Sequence, residues 1–400
     1  MQPDHIELAR ARLEKLCLTH PDRHVGGPGV AAANELFART VRDAGWAVER
    51  LPFPCVDWEH SEASLLVGGA ETALHAGPYS PPYHAEAALV AVSTVAEVEA
   101  LDAPGSILLL HGEITAEQIT PRNYPFYQTD EHRRLLEALD AARPGAVIAA
   151  TDRTPMAAAL HPFPLFEDAD LGIPSAYLLD TEAPALLAHA RHTVRLDIDS
   201  RQFAAHSEQL IARRAGSSAG SVVVSAHIDS RHGTPGALDN GTGVCILLAV
   251  ADLLAESTPR LCVELVPFNG EDNFAAYGEM AYLAAYGGSL SDIALAINID
   301  AAGRTGDESA ISFYGCSDAM RARVRKVSHT AAHIVEGPEW PMSDHMVFAM
   351  RGVPAMAVTS TGLFEIAAQV AHTAADVPAL ADPELVVATA RFIADVVREL

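Results

Sequence analysis

Short apolar runs alternate with amphipathic segments along the C-terminal half of the chain. A run of about four to eight apolar residues predicts a buried strand, and apolar residues that recur every three or four positions predict a helix. Strand–helix alternation with almost wholly apolar strands is typical of a mostly parallel sheet covered by helices on both faces. From residue 207 onward the pattern predicts strands over 207–213, 221–226, 261–268, 293–299 and 353–359, with helices over 240–255, 274–286, 318–331 and 382–399.

The N-terminal residues carry an amphipathic pattern of the same kind. Gly45 marks the end of one helix, because glycine is favoured just past a helix C-terminus. The predicted elements are a helix over 5–17, a helix over 31–44 and a strand over 46–53.

The pattern changes at about residue 57, where proline-rich loops begin to separate short apolar strands. Four hundred residues also exceed what one hydrophobic core usually organises. We therefore predict a smaller, β-rich α/β domain over 58–200, inserted into a catalytic domain formed by 1–57 and 201–400. The predicted strands of the insert are 88–92, 106–110, 146–150 and 174–179.

Side chains able to bind a metal follow three of the predicted strands. His227 and Asp300 each come directly after an apolar run, and the acidic pair Glu271 and Asp272 follows a third. Ligands of open α/β sheets bind beyond the carboxyl ends of the strands. Adjacent parallel strands would therefore bring these side chains to one edge of the sheet.

Two further residues complete a plausible ligand set. Asp239 lies at the start of a predicted helix, and His372 stands alone near the C-terminus. Zinc takes imidazole and carboxylate ligands, and a pair of zinc ions needs a bridging carboxylate with ligands on either side. One carboxylate must remain free of metal to act as a base, so Glu271 and Asp272 can divide these roles.

Composition narrows the class of protein. Apolar residues make up 49% of the chain, and the apolar runs are shorter than the roughly 18 residues of a transmembrane helix, so no membrane span is expected. The net charge of −25 leaves no basic surface for nucleic acid. The first residues lack a basic start and an apolar run, and the five cysteines form no CxxC pair. These features predict a cytoplasmic protein with reduced thiols.

The ordered motifs resemble those of the co-catalytic zinc aminopeptidase family, which includes glutamate carboxypeptidase-like and glutaminyl cyclase-like members. The resemblance covers about residues 1–55 and 201–400, and it implies the zinc exopeptidase fold. The insert resembles a protease-associated domain, which several members carry at this place. The motifs are His227-Ile-Asp229-Ser, Leu-Asp239-Asn-Gly-Thr-Gly, Gly-Glu271-Asp272, Ile-Asn-Ile-Asp300, Ser-Asp344-His345 and His372-Thr-Ala-Ala-Asp376.

The resemblance also implies a role for each matching residue. It implies two zinc ions per chain, with Glu271 as the general base that takes a proton from the zinc-bound water. Asp229 would hold the ring of His227 through its second nitrogen. The implied zinc ligands are His227 and Asp300 for one ion, Asp272 and His372 for the other, and Asp239 between them.

Two departures from the family pattern concern the acidic pair. The second member is commonly Glu, and the shorter Asp272 predicts monodentate coordination or a displaced metal, which leaves a single-zinc site open. The segment after it, Asn-Phe-Ala-Ala-Tyr-Gly-Glu-Met, lacks the usual Gly-Leu-x-Gly-Ser continuation. The family's specificity pocket is therefore not transferred to this chain.

Three residues near the motifs lie outside the implied ligand set. Asp344 and His345 either shape the pocket or serve locally, since Ser343 is a good N-cap and an Asp in a first turn is favoured by the helix dipole. His232 lies beside the first motif without its spacing, and we leave it out of the ligand set.

The sequence thus predicts a zinc-dependent aminopeptidase acting on peptides or amino-acid amides. One alternative is an amidohydrolase or glutaminyl cyclase-like enzyme that acts on small acyl-amino acids or peptides. An alternative of another class is a non-catalytic binding protein on the same fold. A carboxypeptidase with a dimerising lid is disfavoured because its acidic triplet is missing. The sequence does not determine the oligomeric state or the preferred side chain.

Overall fold

The computed structural model describes residues 5–154 and 157–400, except for the side chains of residues 60 and 61. The part of the signal-sequence prediction that falls on residues 1–4 lies outside this range. The chain forms two compact units, a larger one from residues up to Cys55 together with His206–Leu400, and a smaller one from Val56–Ala205. The sequence had placed the boundaries at 57/58 and 200/201.

The helices and strands of the first part of the chain include two long strands that pass from one unit into the other. In chain order they are α1 His5–Glu14, α2 Pro28–Asp43, β1 Ala47–Val67, β2 Ala70–Ala76, β3 Tyr83–Val92, α3 Val95–Glu99, β4 Ile107–Leu110, α4 Asp130–Ala142, β5 Ala146–Thr151, β6 Ser175–Leu179, α5 Ala183–Leu187 and β7 Thr193–Arg214.

The remaining elements belong to the larger unit and alternate between strand and helix. They are β8 Ser221–His227, α6 Thr242–Leu253, β9 Cys262–Phe268, α7 Tyr277–Tyr286, β10 Ile293–Ile299, β11 Ser309–Tyr314, α8 Asp318–Ser328, β12 Ile334–Glu336, α9 His345–Ala349, β13 Ala355–Ser360, α10 Leu363–Gln369 and α11 Pro383–Glu399.

The sheet of the larger unit has the order β7-β9-β8-β10-β13-β11-β12. Its centre is parallel, since β8 pairs in parallel with β9 and β10, and β10 with β13. Antiparallel pairs occur where β7 meets β9 and where β11 meets β13. The predicted mostly parallel mixed sheet with flanking helices is therefore confirmed.

Burial explains why the central strands are almost wholly apolar. In β8, every residue after the first is buried, so both faces of the strand are covered. One cover is α6, which is itself buried along most of its length and packs against α11. The side chain of Asp382 caps α11 by accepting hydrogen bonds from the backbone of Glu384 and Leu385.

Several predicted boundaries were too narrow. The predicted strands 46–53 and 207–213 are parts of β1 and β7, which continue through polar residues as long strands. Half-exposed strands alternate polar and apolar positions, so a search for apolar runs finds only fragments of them. The helix predicted over 31–44 begins earlier, at Pro28, because proline is well placed in a first helical turn.

The smaller unit is built on its own sheet, in which β3, β4, β5 and β6 run parallel. Alternate residues of β4 enter two apolar clusters, with Ile107 and Leu109 in one and Leu108 and Leu110 in the other. The two clusters lie on opposite faces because successive side chains of a strand point to opposite sides. Its assignment as a protease-associated domain remains a prediction.

Among the residues described, none of the helices combines the length and the apolar character that a transmembrane span requires.

Candidate metal centre

Three neighbouring strands bring four of the predicted site residues to one edge of the larger unit's sheet. His227 is the last residue of β8, and Asp300 directly follows β10, which pairs with β8 in parallel. Glu271 and Asp272 lie in the loop after β9, on the other side of β8. The sheet order therefore explains why His227 and Asp300, which are far apart in the sequence, lie together in the fold.

A first cluster contains His227, Asp239 and Asp300, whose ligand atoms all lie within 4.8 Å of one another. Nε2 of His227 lies 3.0 Å from Oδ1 of Asp239 and 3.5 Å from Oδ1 of Asp300. The His227 side chain has no solvent-exposed surface.

A second cluster contains Asp239, Asp272 and His372, again with ligand atoms within 4.8 Å. Nε2 of His372 lies 3.0 Å from Oδ1 of Asp272 and 3.3 Å from Oδ2 of Asp239. Asp239 belongs to both clusters and turns one carboxylate oxygen to each. This is the arrangement expected of a carboxylate that bridges two metal ions.

The donor set fits a pair of zinc ions. Nε2 of His227 is buried and makes no hydrogen bond of normal geometry within the described residues, although two carboxylates lie beside it. Imidazole and carboxylate atoms that converge without bonding one another are typical of metal ligands. Burial opposes protonation of His372, but Asp272 and Asp239 raise the pKa of this residue to about 10.

Asp272 faces the second cluster with one oxygen only. Its Oδ2 accepts a hydrogen bond of 3.1 Å from the backbone N–H of Arg231, which leaves Oδ1 toward His372. The contact favours monodentate coordination, one of the two outcomes predicted from its shorter side chain.

Glu271 stands beside the clusters and is a member of neither. Its Oε2 lies 4.0 Å from Nε2 of His227. Burial raises the pKa of Glu271 well above its ordinary value, with a further contribution from Asp300. A carboxyl group whose pKa is raised in this way is suited to accept and release a proton near neutral pH.

Asp229 lies beside the second ring nitrogen of His227, as predicted, but its nearest atom is a backbone oxygen. The nearest atom to Nδ1 of His227 is the backbone oxygen of Asp229, at 3.2 Å, whereas Oδ1 lies at 3.7 Å. The Asp229 carboxylate instead accepts hydrogen bonds from the backbone N–H groups of Gly270 and Asp272, at 3.0 and 3.1 Å. It thereby fixes the loop that carries Glu271.

Asp376 is a supporting residue to which the sequence analysis gave no role. Its two carboxylate oxygens accept hydrogen bonds from the backbone N–H groups of Leu238 and Asp239, at 2.8 and 3.0 Å. Asp239 does not cap α6. Asn240 does so, because its Oδ1 accepts from the N–H of Gly243.

Arg23 is a second residue that the sequence analysis missed. It is fully buried, and its guanidinium donates to the backbone oxygens of Ile228, Pro235 and Gly236. These bonds hold the segment between His227 and Asp239. A buried arginine whose partners are carbonyl oxygens of distant residues leaves no periodic pattern in the sequence. The only local signal is the pair Gly26 and Gly27, which follows Arg23 closely.

Asp344 and His345 lie near the site with different surroundings. Asp344 is buried at the N-terminal end of α9, where its side chain makes no capping hydrogen bond. Its position beside the helix start agrees with one of the two predicted roles, and its burial agrees with the other. Nε2 of His345 bonds the backbone oxygen of Trp340 at 2.8 Å. Burial lowers the pKa of His345 to about 4, and the residue belongs to neither cluster.

Glu279 is a buried acid behind the loop of Glu271. It is fully buried, and its carboxylate oxygens have no hydrogen-bond partner of normal geometry among the described residues. A side-chain carbon placed at Gly270 would lie 2.5 Å from its Oε2, so Glu279 packs directly on that loop. Burial, assisted by Asp229, raises the pKa of Glu279 to about 8.

Comparisons with known proteins identify a related peptidase family. Residues 209–397 match the model of peptidase family M28. A curated relative, the probable lipoprotein aminopeptidase LpqL of Mycobacterium tuberculosis, is 26% identical over 295 residues, which cover 70% of this chain and 54% of that protein. The chain therefore spans about half the length of the curated relative it matches.

Solved structures share the fold. The aminopeptidase from Aneurinibacillus sp. strain AM-1 has a TM-score of 0.75 at 20% identity, covering 98% of this chain and 93% of that one. The zinc aminopeptidase BSAP from Bacillus subtilis has a TM-score of 0.73 at 19% identity, with 100% and 96% covered. The glutaminyl cyclase of Fimbriiglobus ruber reaches 0.54 at 12% identity, with 100% and 96% covered.

These findings confirm the predicted family resemblance. The matching family model is that of a peptidase family, and the curated relative is named as an aminopeptidase.

The raised pKa of Glu279 should make the stability of the protein depend on pH. Because its folded pKa of about 8 lies above the ordinary 4.5, the stability linked to this group is full below about pH 4.5 and is lost as pH rises through 8. Glu279→Gln should flatten the fall in the free energy of unfolding across this window by up to about 5 kcal/mol. Denaturant unfolding of metal-free protein at several pH values measures the effect.

Glu256→Gln is the matched control, since Glu256 is exposed. It should keep the pH profile of the parent. A parental profile in Glu279→Gln as well would show that Glu279 is not protonated in the folded protein.

Proposed function

We propose that this protein is a zinc-dependent exopeptidase of the aminopeptidase type, which removes N-terminal residues from peptides. The observation that carries the proposal is the pair of clusters that share Asp239, with Glu271 beside them. The relatives from Mycobacterium tuberculosis, Aneurinibacillus and Bacillus subtilis are named as aminopeptidases, which supports the same activity.

His227 and Asp300 would hold one zinc ion, Asp272 and His372 the other, and Asp239 would bridge them. Bound zinc supplies polarisation of the scissile carbonyl and lowers the pKa of a water molecule. The residues of the chain provide orientation. Asp376 fixes the bridging carboxylate, and the backbone oxygen of Asp229 bonds the ring of His227.

Glu271 moves the proton in this mechanism. Its carboxylate takes a proton from the attacking water and delivers it to the leaving amine. Asp229 accepts hydrogen bonds from the backbone on both sides of Glu271, at Gly270 and Asp272. These bonds fix the position of Glu271, so its own carboxylate is not needed to hold the loop. The raised pKa of Glu271 favours retention of the proton between the two steps.

The acidic character of the site supports selectivity for a free N-terminus. Asp239, Asp272 and Asp300 gather around two histidines, with Glu271 adjacent. With two zinc ions bound, these four carboxylates would balance the metal charge, so the loaded site would offer no excess positive charge to a substrate carboxylate. Preference for peptides or amino-acid amides with a free N-terminus follows.

One observation supports the single-zinc alternative, an amidohydrolase or glutaminyl cyclase-like enzyme. Asp272 is one methylene shorter than the usual Glu, and the backbone of Arg231 already occupies one of its oxygens. A weakened second site would leave one firmly held ion. The number of zinc ions per chain is thus part of the proposal to be tested.

We also propose a cytoplasmic location. All five cysteines are free thiols, and four of them are buried. Burial raises the pKa of Cys17 to about 11, which keeps it protonated and unreactive. Free thiols in this number are typical of a reducing compartment.

The proposed activity predicts cleavage of peptides with a free N-terminus. Matched short peptides, free or acetylated at the N-terminus, are incubated with zinc-loaded protein and followed by mass spectrometry. Release of the first residue from the free set alone, abolished by a chelator, is expected. Cleavage of the acetylated set would favour the amidohydrolase, and loss of ammonia from N-terminal glutamine would favour the cyclase.

Asp239→Asn should weaken zinc binding by more than about tenfold, because it removes the charge that both clusters share. Zinc content after dialysis against a weak chelator measures the loss. Asp252 lies on α6 and forms a partly buried ion pair with Arg12 of α1. Asp252→Asn makes the same chemical change away from the clusters and should retain zinc. Unchanged zinc in Asp239→Asn would remove it from the bridging role.

Glu271→Gln should keep zinc and lose about 10²- to 10⁴-fold in kcat, since the amide cannot accept the proton. Steady-state rates on the best free peptide, with zinc content measured in parallel, test this. Glu308→Gln is an exposed control and should have the parent's rate. Full activity in Glu271→Gln would exclude it as the base.

A further inference from the structure

A third group of ligand-type side chains lies outside the two clusters. Asp22, His24 and His232 each offer one ligand atom, and these atoms lie within 4.8 Å of one another. The carboxylate of Asp22 contacts both rings, with Oδ1 2.5 Å from Nδ1 of His24 and Oδ2 3.7 Å from Nδ1 of His232. We call these three residues the Asp22 triad.

The backbone brings the two segments of the triad together. The N–H of Arg23 donates to Oγ of Ser230, and the N–H of Ser230 donates to the backbone oxygen of Arg23. The buried guanidinium of Arg23 bonds the backbone oxygen of Ile228 in the same segment. Residues next to Arg23 and Ser230 are therefore held at a fixed spacing.

The ring of His24 occupies space that only glycine leaves open. A side-chain carbon placed at Gly27 would lie 2.5 Å from two atoms of that ring. The ring also stacks on His232, with centroids 4.5 Å apart and planes at 29°. Two imidazoles in this position repel each other when both are protonated, whereas neutral rings beside a carboxylate can share a cation.

We propose that Asp22, His24 and His232 form a further metal site, which binds a divalent transition-metal ion such as Zn²⁺ separately from the co-catalytic clusters. Two imidazole nitrogens and a carboxylate oxygen are donors that zinc, cobalt, nickel and copper prefer over magnesium and calcium. An ion about 2.0–2.1 Å from each ligand places tetrahedral ligand atoms about 3.3 Å apart. The distances from the Asp22 carboxylate to His24 and His232, 2.5 and 3.7 Å, are respectively shorter and longer than this spacing. Small side-chain rotations would therefore bring the ligand atoms to the spacing that the ion requires.

Exposure sets this site apart from the buried pair. The side chains of His24, Asp22 and His232 are 14%, 33% and 38% exposed, whereas His227 has no exposed side-chain surface. Water can therefore complete the coordination shell. The ion at the triad binds more weakly and exchanges faster than those held by His227 and its partners.

The triad is linked to the second cluster through one turn. His232 follows Arg231, whose N–H bonds Asp272, and Thr234 closes the turn by bonding the backbone oxygen of Arg231 with its N–H and Oγ1. An ion on His232 would restrict this turn and so stabilise the orientation of Asp272. The site is thereby placed to tune the second cluster without contacting substrate.

Zinc stoichiometry tests the proposal directly. Full-length protein and the double variant His24→Asn/His232→Asn are dialysed at equal free Zn²⁺, and bound zinc per chain is determined by elemental mass spectrometry. The parent should bind one equivalent more than the double variant. Because the result is a difference, it does not depend on how many ions the co-catalytic clusters hold or on whether the protein cleaves peptides.

His20→Asn is the matched control, since His20 lies in the same N-terminal segment outside the triad. It should bind as much zinc as the parent. Asp22→Asn, which keeps both rings, should also lose the additional equivalent, and Co²⁺ should give a visible absorption band in the parent that is weaker in both triad variants. Equal zinc in the parent and both triad variants would overturn the proposal and leave a hydrogen-bonded group without metal.

Discussion

Compensation of buried negative charge is the constraint on which the site depends. Asp239, Asp272 and Asp300 meet at one sheet edge, and Glu271 stands beside them. Isolated carboxylates are too costly to bury in such a place without positive charge. His227 and His372 supply part of it, which is why nearby acids raise the pKa of both rings against the effect of burial. Divalent cations would supply the rest.

The backbone, more than direct side-chain pairing, fixes this charged group. Asp376 and Asp229 each accept two backbone hydrogen bonds, one around Asp239 and the other around Glu271. A carboxylate that accepts hydrogen bonds from two nearby backbone N–H groups restrains a loop at two points at once. The ligands can then face one another without bonding, which leaves their inner oxygens and nitrogens for metal.

The sequence was most informative where side-chain chemistry coincides with strand ends. His227 and Asp300 follow buried parallel strands, and such strands have a strong apolar pattern and a known functional edge. The pattern could not reveal the role of Asp376 or the presence of Arg23 and Glu279 at the site, because their contacts are with backbone atoms and with residues from distant parts of the chain. The half-polar strands β1 and β7 were only partly found for a related reason, since their alternation is easily mistaken for loop.

The two departures from the family pattern both concern the loop that carries Glu271. The short Asp272 turns Oδ2 to the backbone of Arg231. Glu279 packs its carboxyl group onto Gly270, next to Glu271. Burial raises the pKa of Glu279, and a protonated carboxyl there adds no charge behind the base. The short Asp272 and the neutral Glu279 are therefore compatible. Asp272 brings its carboxylate less far toward the metal position, whereas Glu279 packs on the same loop without adding negative charge.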